Sequence, residues 1–102
     1  MDNKLIRNTT LTIAATSMRI SEAVYNGQRA VLILKNTSTG GEIISLAIGQ
    51  QAVANSGLVL KQGETMTMAK DSGYNPTNQD INAIGSAATA TLAIYEEIEV
   101  YN

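Results

Sequence analysis

Few of the residue types that do chemistry are present in this 102-residue sequence. It contains no His and no Cys. Without His, the commonest general base and the commonest metal ligand are missing. Without Cys, neither a disulfide nor a thiolate metal site can form. A Ser–Lys arrangement would draw on Ser17, Ser21, Ser45 or Ser72 and on Lys4, Lys35, Lys61 or Lys70, but no local pattern around them makes a nucleophile elbow. Glu96 and Glu97 are adjacent, so on a strand they point to opposite faces and cannot by themselves form the facing carboxylate pair of a glycosidase. With Glu99 they read as a solvated edge, where a strand leaves its sheet. No catalytic residue and no cofactor is expected, and the chain reads as a non-enzyme.

Two loops remain as binding candidates. AKDSGYNPTNQD, residues 69–80, brings together Asp71, Asn75, Asn78 and Asp80. These are hard oxygen ligands of the kind calcium takes, but they lack the tight spacing of an EF-hand loop, and no metal is expected there. The same loop carries Tyr74 and Asn75, the best candidates for an exposed glycan contact among the four tyrosines. A lone loop tyrosine, however, more often packs its apolar ring on its own loop. NTSTGGE, residues 36–42, has paired glycines but no following lysine, so it is not a phosphate-binding loop. Its Asn36-Thr37-Ser38 triplet fits an N-glycosylation acceptor.

Charge excludes further classes. The formal net charge is −2, and the seven Lys and Arg are scattered along the chain. A nucleic-acid partner would favour a basic patch. No apolar run approaches membrane-spanning length, and MDNKLIRNTT at the N-terminus has no signal-peptide h-region. The expectation is a protein that stays where it is made or leaves only as part of something larger, with neither nucleic acid nor membrane as partner.

The elements that must position these residues read as strands. Alternation and turn punctuation run throughout, at strand spacing. LTIAAT (11–16) is a first strand, and residues 3–10 before it read as an arm or an early strand. MRISEAV (18–24) fits a strand or one turn of helix, and Asn26-Gly27 is a turn signal. RAVLILK (29–35) is the strongest strand, apolar on both faces in its middle, as for a central strand. IISLAIG (43–49) follows. After a small-residue crossing, LVL (58–60) reads as an apolar plug into the core, closed by a turn with Gly63 at its permissive position. Met66 and Met68 then share one face of a strand. INAIGS (81–86) suggests a bulged strand, because Ile81 and Ile84 are out of phase. TATLAIYEEIEVY (89–101) is a long last strand. The fold class expected is all-β: one domain spanning 1–102, a small antiparallel β-sandwich, jelly-roll-like or Ig-like, with a small barrel second. Residues 1–10 are a candidate N-terminal arm and 97–102 a candidate C-terminal extension.

Aromatics make up only 4% of the chain, all of them Tyr, against 44% hydrophobic residues overall. A core of Ile, Leu, Val, Met and Ala buries less area per residue, so at roughly 25 cal/mol per Å² its stability margin is thin. Small domains with thin cores often gain stability by oligomerising.

Three stretches carry a resemblance. AVLILKNTSTGGEIISLAIG, AVANSGLVLKQGETMTM and INAIGSAATATLAIYEE, within residues 30–96, resemble small β-sandwich structural proteins of bacteriophages and related viruses: strand, Asn-Thr-Ser loop, strand; crossing, turn, strand; closing hairpin. The motifs are structural and cover about two-thirds of the chain. The resemblance implies a virion structural protein, capsid-associated as a decoration, minor capsid or spike-base subunit. Its partners would be other copies of itself and a major capsid or other virion protein, and it would be assembled in the host cytoplasm. A receptor- or glycan-binding module of a virus fibre or cell-surface assembly is the alternative. The extended, alternating termini suit strand addition to a neighbour, so Leu5, Ile6, Arg7, Ile98, Val100 and Tyr101 are the candidate assembly interface.

Overall fold

The computed structural model describes residues 3–70 and 76–101. Eight strands follow one another: β1 (Asn3–Ile13), β2 (Met18–Ser21), β3 (Gly27–Asn36), β4 (Ile44–Ile48), β5 (Leu58–Leu60), β6 (Thr65–Ala69), β7 (Ile81–Gly85) and β8 (Ala90–Val100). No α-helix occurs among the described residues, and 18–21 is strand. The strands form two four-stranded sheets, ordered β1-β8-β3-β6 and β2-β7-β4-β5. All pairings are antiparallel, and β1 pairs β8, β2 pairs β7, β3 pairs β6 and β4 pairs β5. This is the pairing of one long hairpin, closed between β4 and β5 and rolled up on itself: a jelly-roll sandwich. The two sheets are separate, so the fold is not a closed barrel.

Period-two patterning explains which side chains are inside. Leu32 and Leu34 of β3, Ala90, Leu92 and Ile94 of β8, Ile44 and Leu46 of β4, and Ile81 and Ala83 of β7 are all buried in the core. Met66, Met68, Leu11 and Met18 pack against its margin. Residues 3–10, read as an arm or an early strand, lie in β1 and pair with β8 from Asn3↔Val100 to Ile13↔Ala90.

Four local expectations are corrected. LVL is an edge strand rather than a plug: Leu60 is 7% exposed, but Leu58 is 40% and Val59 37% exposed. β5 is three residues long and has β4 on one side only, so little covers its outer half. β7 alternates cleanly, with Ile81, Ala83 and Gly85 buried and Ile84 on the other face; the register shifts lie elsewhere, in β2 between Arg19 and Ser21 and in β3 between Arg29 and Val31. Gly27 does not sit in a two-residue hairpin but opens β3. A Cβ there would collide with the Glu99 carbonyl oxygen, so the close approach of β3 to β8 requires glycine. Finally, β3 begins at Gly27 rather than at Arg29, and Arg29 is fully buried.

The turn after β5 is as expected. Gly63 has φ +83°, and the Glu64 N–H donates to the Lys61 carbonyl at 2.9 Å. This corner is held from beneath by Asn36, which is fully buried. Its Nδ2 donates to the carbonyls of Glu42 and Leu60, both at 2.9 Å, and its Oδ1 accepts from the Ser38 N–H at 3.0 Å. Asn36 therefore joins the end of β3 to β5 and to the following loop, and it is closed to glycosylation in the folded chain. Asn36→Ala leaves two carbonyls and one N–H without this partner. It is expected to cost at least about 2 kcal/mol, a fall in Tm of about 8–16 °C, by calorimetry; exposed Thr39→Ala should change little.

Candidate functional site

One sheet is much longer than the other. β1 and β8 have 11 residues each, against 4 and 5 for β2 and β7. At about 3.3 Å per residue this is roughly 36 Å against 13–17 Å, and the molecule measures 44 × 23 × 22 Å. The longer sheet therefore overhangs at the end where β1 begins, β8 ends and β3 begins.

The apolar core stops there at Glu96. The carboxylate occupies the inward face of β8, in phase with Ala90, Leu92 and Ile94, and is 1% exposed. Its expected place at a solvated edge is thus corrected: strand phase carries it inward. Its Oε2 accepts from Arg29 Nε at 2.9 Å and from Ser21 Oγ at 2.7 Å, and its Oε1 accepts from Arg7 Nη1 at 3.0 Å. Arg29 uses all five of its N–H groups. Besides Glu96, they reach the carbonyls of Thr77 and Gln79 (2.7 and 2.8 Å), Ser21 Oγ (2.6 Å) and the Glu22 carbonyl (2.8 Å). Burial alone raises the Glu96 pKa, but the hydrogen bonds from Ser21, Arg29 and Arg7 and the charge of Arg29 outweigh it. They hold the carboxyl below the usual range.

Around this polar seal lie the six candidate interface residues. Leu5 pairs with Ile98 across β1 and β8, and Val100 lies one pair further out on the same inward face of the overhang. Leu5 is 59% exposed; Ile98 and Val100 are half-buried. Ile6, 62% exposed, projects from the opposite face. Tyr101 follows β8, with its N–H donated to the Asn26 carbonyl at 2.8 Å and its side chain exposed. Arg7 differs from the rest: it turns inward, to Glu96 and to the Ile20 carbonyl at 2.7 Å. β1 is also the outer strand of its sheet, with β8 on one flank and no strand on the other among the described residues.

The chemical candidates are committed elsewhere. Ser17 Oγ accepts from the Ala52 N–H, Ser45 Oγ from the Asn55 N–H, and Ser21 belongs to the Glu96 cluster. Asn78 Oδ1 caps the Arg29 N–H and Asp80 Oδ1 caps the Ala23 N–H, so both fasten loops. Ser72, Asp71, Tyr74 and Asn75 lie outside the described residues. Among the described residues no group of three or more acidic side chains could hold a metal ion. The sequence reading missed the Arg29–Glu96–Ser21 cluster. The available signal was the phase of β8, which puts position 96 on the same face as Leu92 and Ile94.

No protein-family model matches this sequence, and no match is found among curated proteins. Among solved structures, the chain is similar to a subunit of Bacillus endospore appendages, described as a novel family of disulfide-linked pili. The TM-score is 0.58 at 18% identity, over 99% of this chain and 90% of that one. At this identity the likeness shows a shared fold, along nearly the whole of both chains.

Because Glu96 is depressed in the folded state, its contribution to stability is present above the unfolded carboxyl value of about 4.3 and is lost as pH falls through the lower folded value. Acid unfolding should therefore begin below about pH 4. Glu96→Gln should leave Arg29 buried without a counter-charge and cost about 3–5 kcal/mol at pH 7, with a flattened acid limb, read from denaturant midpoints across pH 2–7.

Proposed function

We propose that this chain is a non-enzymatic structural subunit that builds a repeated assembly by adding the free flank of β1 to a neighbouring copy. The observation that carries this reading is the 11-residue outer strand β1, with Leu5 and Ile6 exposed on its two faces. Soluble proteins usually blunt such an edge with charge, proline or a covering segment. Here the outer part of β1 offers one exposed cation, Lys4, whose ammonium lies 3.1 Å from Glu97 of its own chain. At the other edge of the same sheet lies β6, five residues long. Joining β1 of one copy to β6 of the next continues the sheet from subunit to subunit. Such a contact is heterologous and, where its rotation does not close a ring, gives an open filament.

The fold likeness to an appendage subunit supports the form in which the chief partner is the chain itself. The capsid-associated form implied by the sequence resemblance uses the same edge, with a major capsid protein as an additional partner. In either form the joints draw on no disulfide from these residues, since the sequence has no Cys.

Deleting residues 1–6 removes Leu5 and Ile6 while leaving Arg7 to its bond with Glu96. The truncated chain should keep its β-sheet circular dichroism and lose polymer in negative-stain microscopy and sedimentation; full-length Leu5→Lys should do the same. Unaltered polymer in both, or a parent chain that is monomeric at every concentration, would refute the proposal.

A further inference from the structure

The outward faces of the two sheets are covered differently. On the shorter sheet, loop 49–57 folds back over β4, so that Ser45, on the outward face, is 2% exposed and bonded to the Asn55 N–H at 2.9 Å. On the longer sheet no described segment crosses the outward face. The register there defines three rows running from β1 to β6. The middle row is Asn8, Tyr95, Ile33 and Thr67. On one side stand Thr10, Ala93, Lys35 and Thr65; on the other, Ile6, Glu97, Val31 and Ala69. The centre is thus Ile33, Val31, Ala93 and the Tyr95 ring, all half-buried, with exposed Ile6 and half-buried Ala69 at the flanks. The Tyr95 hydroxyl donates to Glu97 Oε2 at 2.6 Å, which fixes the ring across the face. Both-face apolarity of β3, legible in RAVLILK, is the sequence mark of this patch.

We infer that this face docks a second copy of the chain, back to back, about a two-fold axis along the Ile33–Tyr95 row. Charge placement selects this occupant. A two-fold axis along that row carries the Lys35 row of one copy onto the Val31–Glu97 row of the other. Lys35 then lies above Val31 and is offset sideways from Glu97 of the second copy by one strand spacing, about 4.8 Å, with the sheets about 10 Å apart, a gap of about 11 Å between backbones that the two side chains span. Lys35 is exposed and has no ion pair among the described residues. Its match is Glu97, whose Oε1 lies 3.1 Å from Lys4 of its own chain and whose Oε2 accepts from Tyr95, so Lys35 joins that carboxylate as a second cation, twice by symmetry as an isologous contact requires. Four strands by three rows span roughly 19 Å by 20 Å. That is about 390 Å² per copy in projection, below the roughly 600 Å² per partner at which standard specific interfaces begin. Such a contact is weak between single subunits. Repeated along two edge-joined filaments, it becomes strong by effective concentration and pairs them.

The absence of Cys gives a direct test. Full-length Ile33→Cys and, separately, Thr67→Cys each place a single thiol on the two-fold row; Thr67 is exposed, so that variant does not disturb the core. A bismaleimide of about 10 Å reach, matched to sheet separation, should link each into dimers on a denaturing gel. Val59→Cys, on the shorter sheet, should not link. Edge-joined neighbours put equivalent Ile33 residues one sheet width, about 19 Å, apart, so a dimer reports the face contact whether or not the β1 edge assembles. Lys35→Glu or Glu97→Lys should lower the yield about tenfold, and combining them should restore it. Linking no greater than for Val59→Cys at both positions, or single and double charge variants that link alike, would overturn the inference.

Discussion

The buried pair of Arg29 and Glu96 is the constraint around which the molecule is arranged. A carboxylate and a guanidinium removed from water cost several kcal/mol each unless every donor and acceptor is met. Here they are met by groups from most of the fold: Ser21 and Glu22 at the end of β2, Thr77 and Gln79 before β7, Glu96 on β8 and Arg7 on β1. The cluster therefore acts as a bolt through both sheets. Only arginine has five fixed donors for such a position; lysine, with three on a flexible stem, would leave carbonyls unpaired.

The bolt also decides where the sandwich ends. Inward of Glu96 the core is apolar, with Ile94, Leu34 and Ile81 nearly free of solvent exposure. Outward of it, the longer sheet continues as a ribbon of β1, β8 and β3 with little beneath it. A polar layer at this point lets the ribbon project without the core opening to water. It also links the two ends of the site, because Arg7, on the projecting strand, is held by the same carboxylate that Arg29 neutralises. The position of the free edge is thus fixed by an interaction inside the domain.

Much of this was legible in the sequence. The alternation of β3 and β8, the Gly63 turn and the apolar faces of β4 and β7 are local patterns, and they suffice for an antiparallel sandwich. What was not legible depends on partners far away in the chain. Whether Leu58 is core or edge depends on whether another strand lies beyond β5, which no local pattern states. That Gly27 serves a close approach, rather than a turn, depends on Glu99. Glu96 is intermediate: its phase was visible, but carboxylates are rarely buried unpaired, and its partner stands 67 residues away. Of the candidate interface, Leu5, Ile6, Ile98, Val100 and Tyr101 gather at one end because the register of β1 with β8 brings both termini there. Tyr74 and Asn75 fall outside the described residues.

The composition takes on its meaning from this arrangement. A chain without Trp, Phe or Cys has neither large aromatic anchors nor covalent staples, and a 102-residue domain buries only a modest core. Its specificity comes from polar side chains at fixed places, as with Arg29 and Asn36. Threonine-rich β1 and β6, the exposed ends of one sheet, keep strand propensity without a large apolar surface. The same composition separates this chain from a fold relative described as disulfide-linked, because this sequence has no thiol for such a link. In the assembly proposed above, strength comes from the number of simultaneous contacts rather than from any one of them.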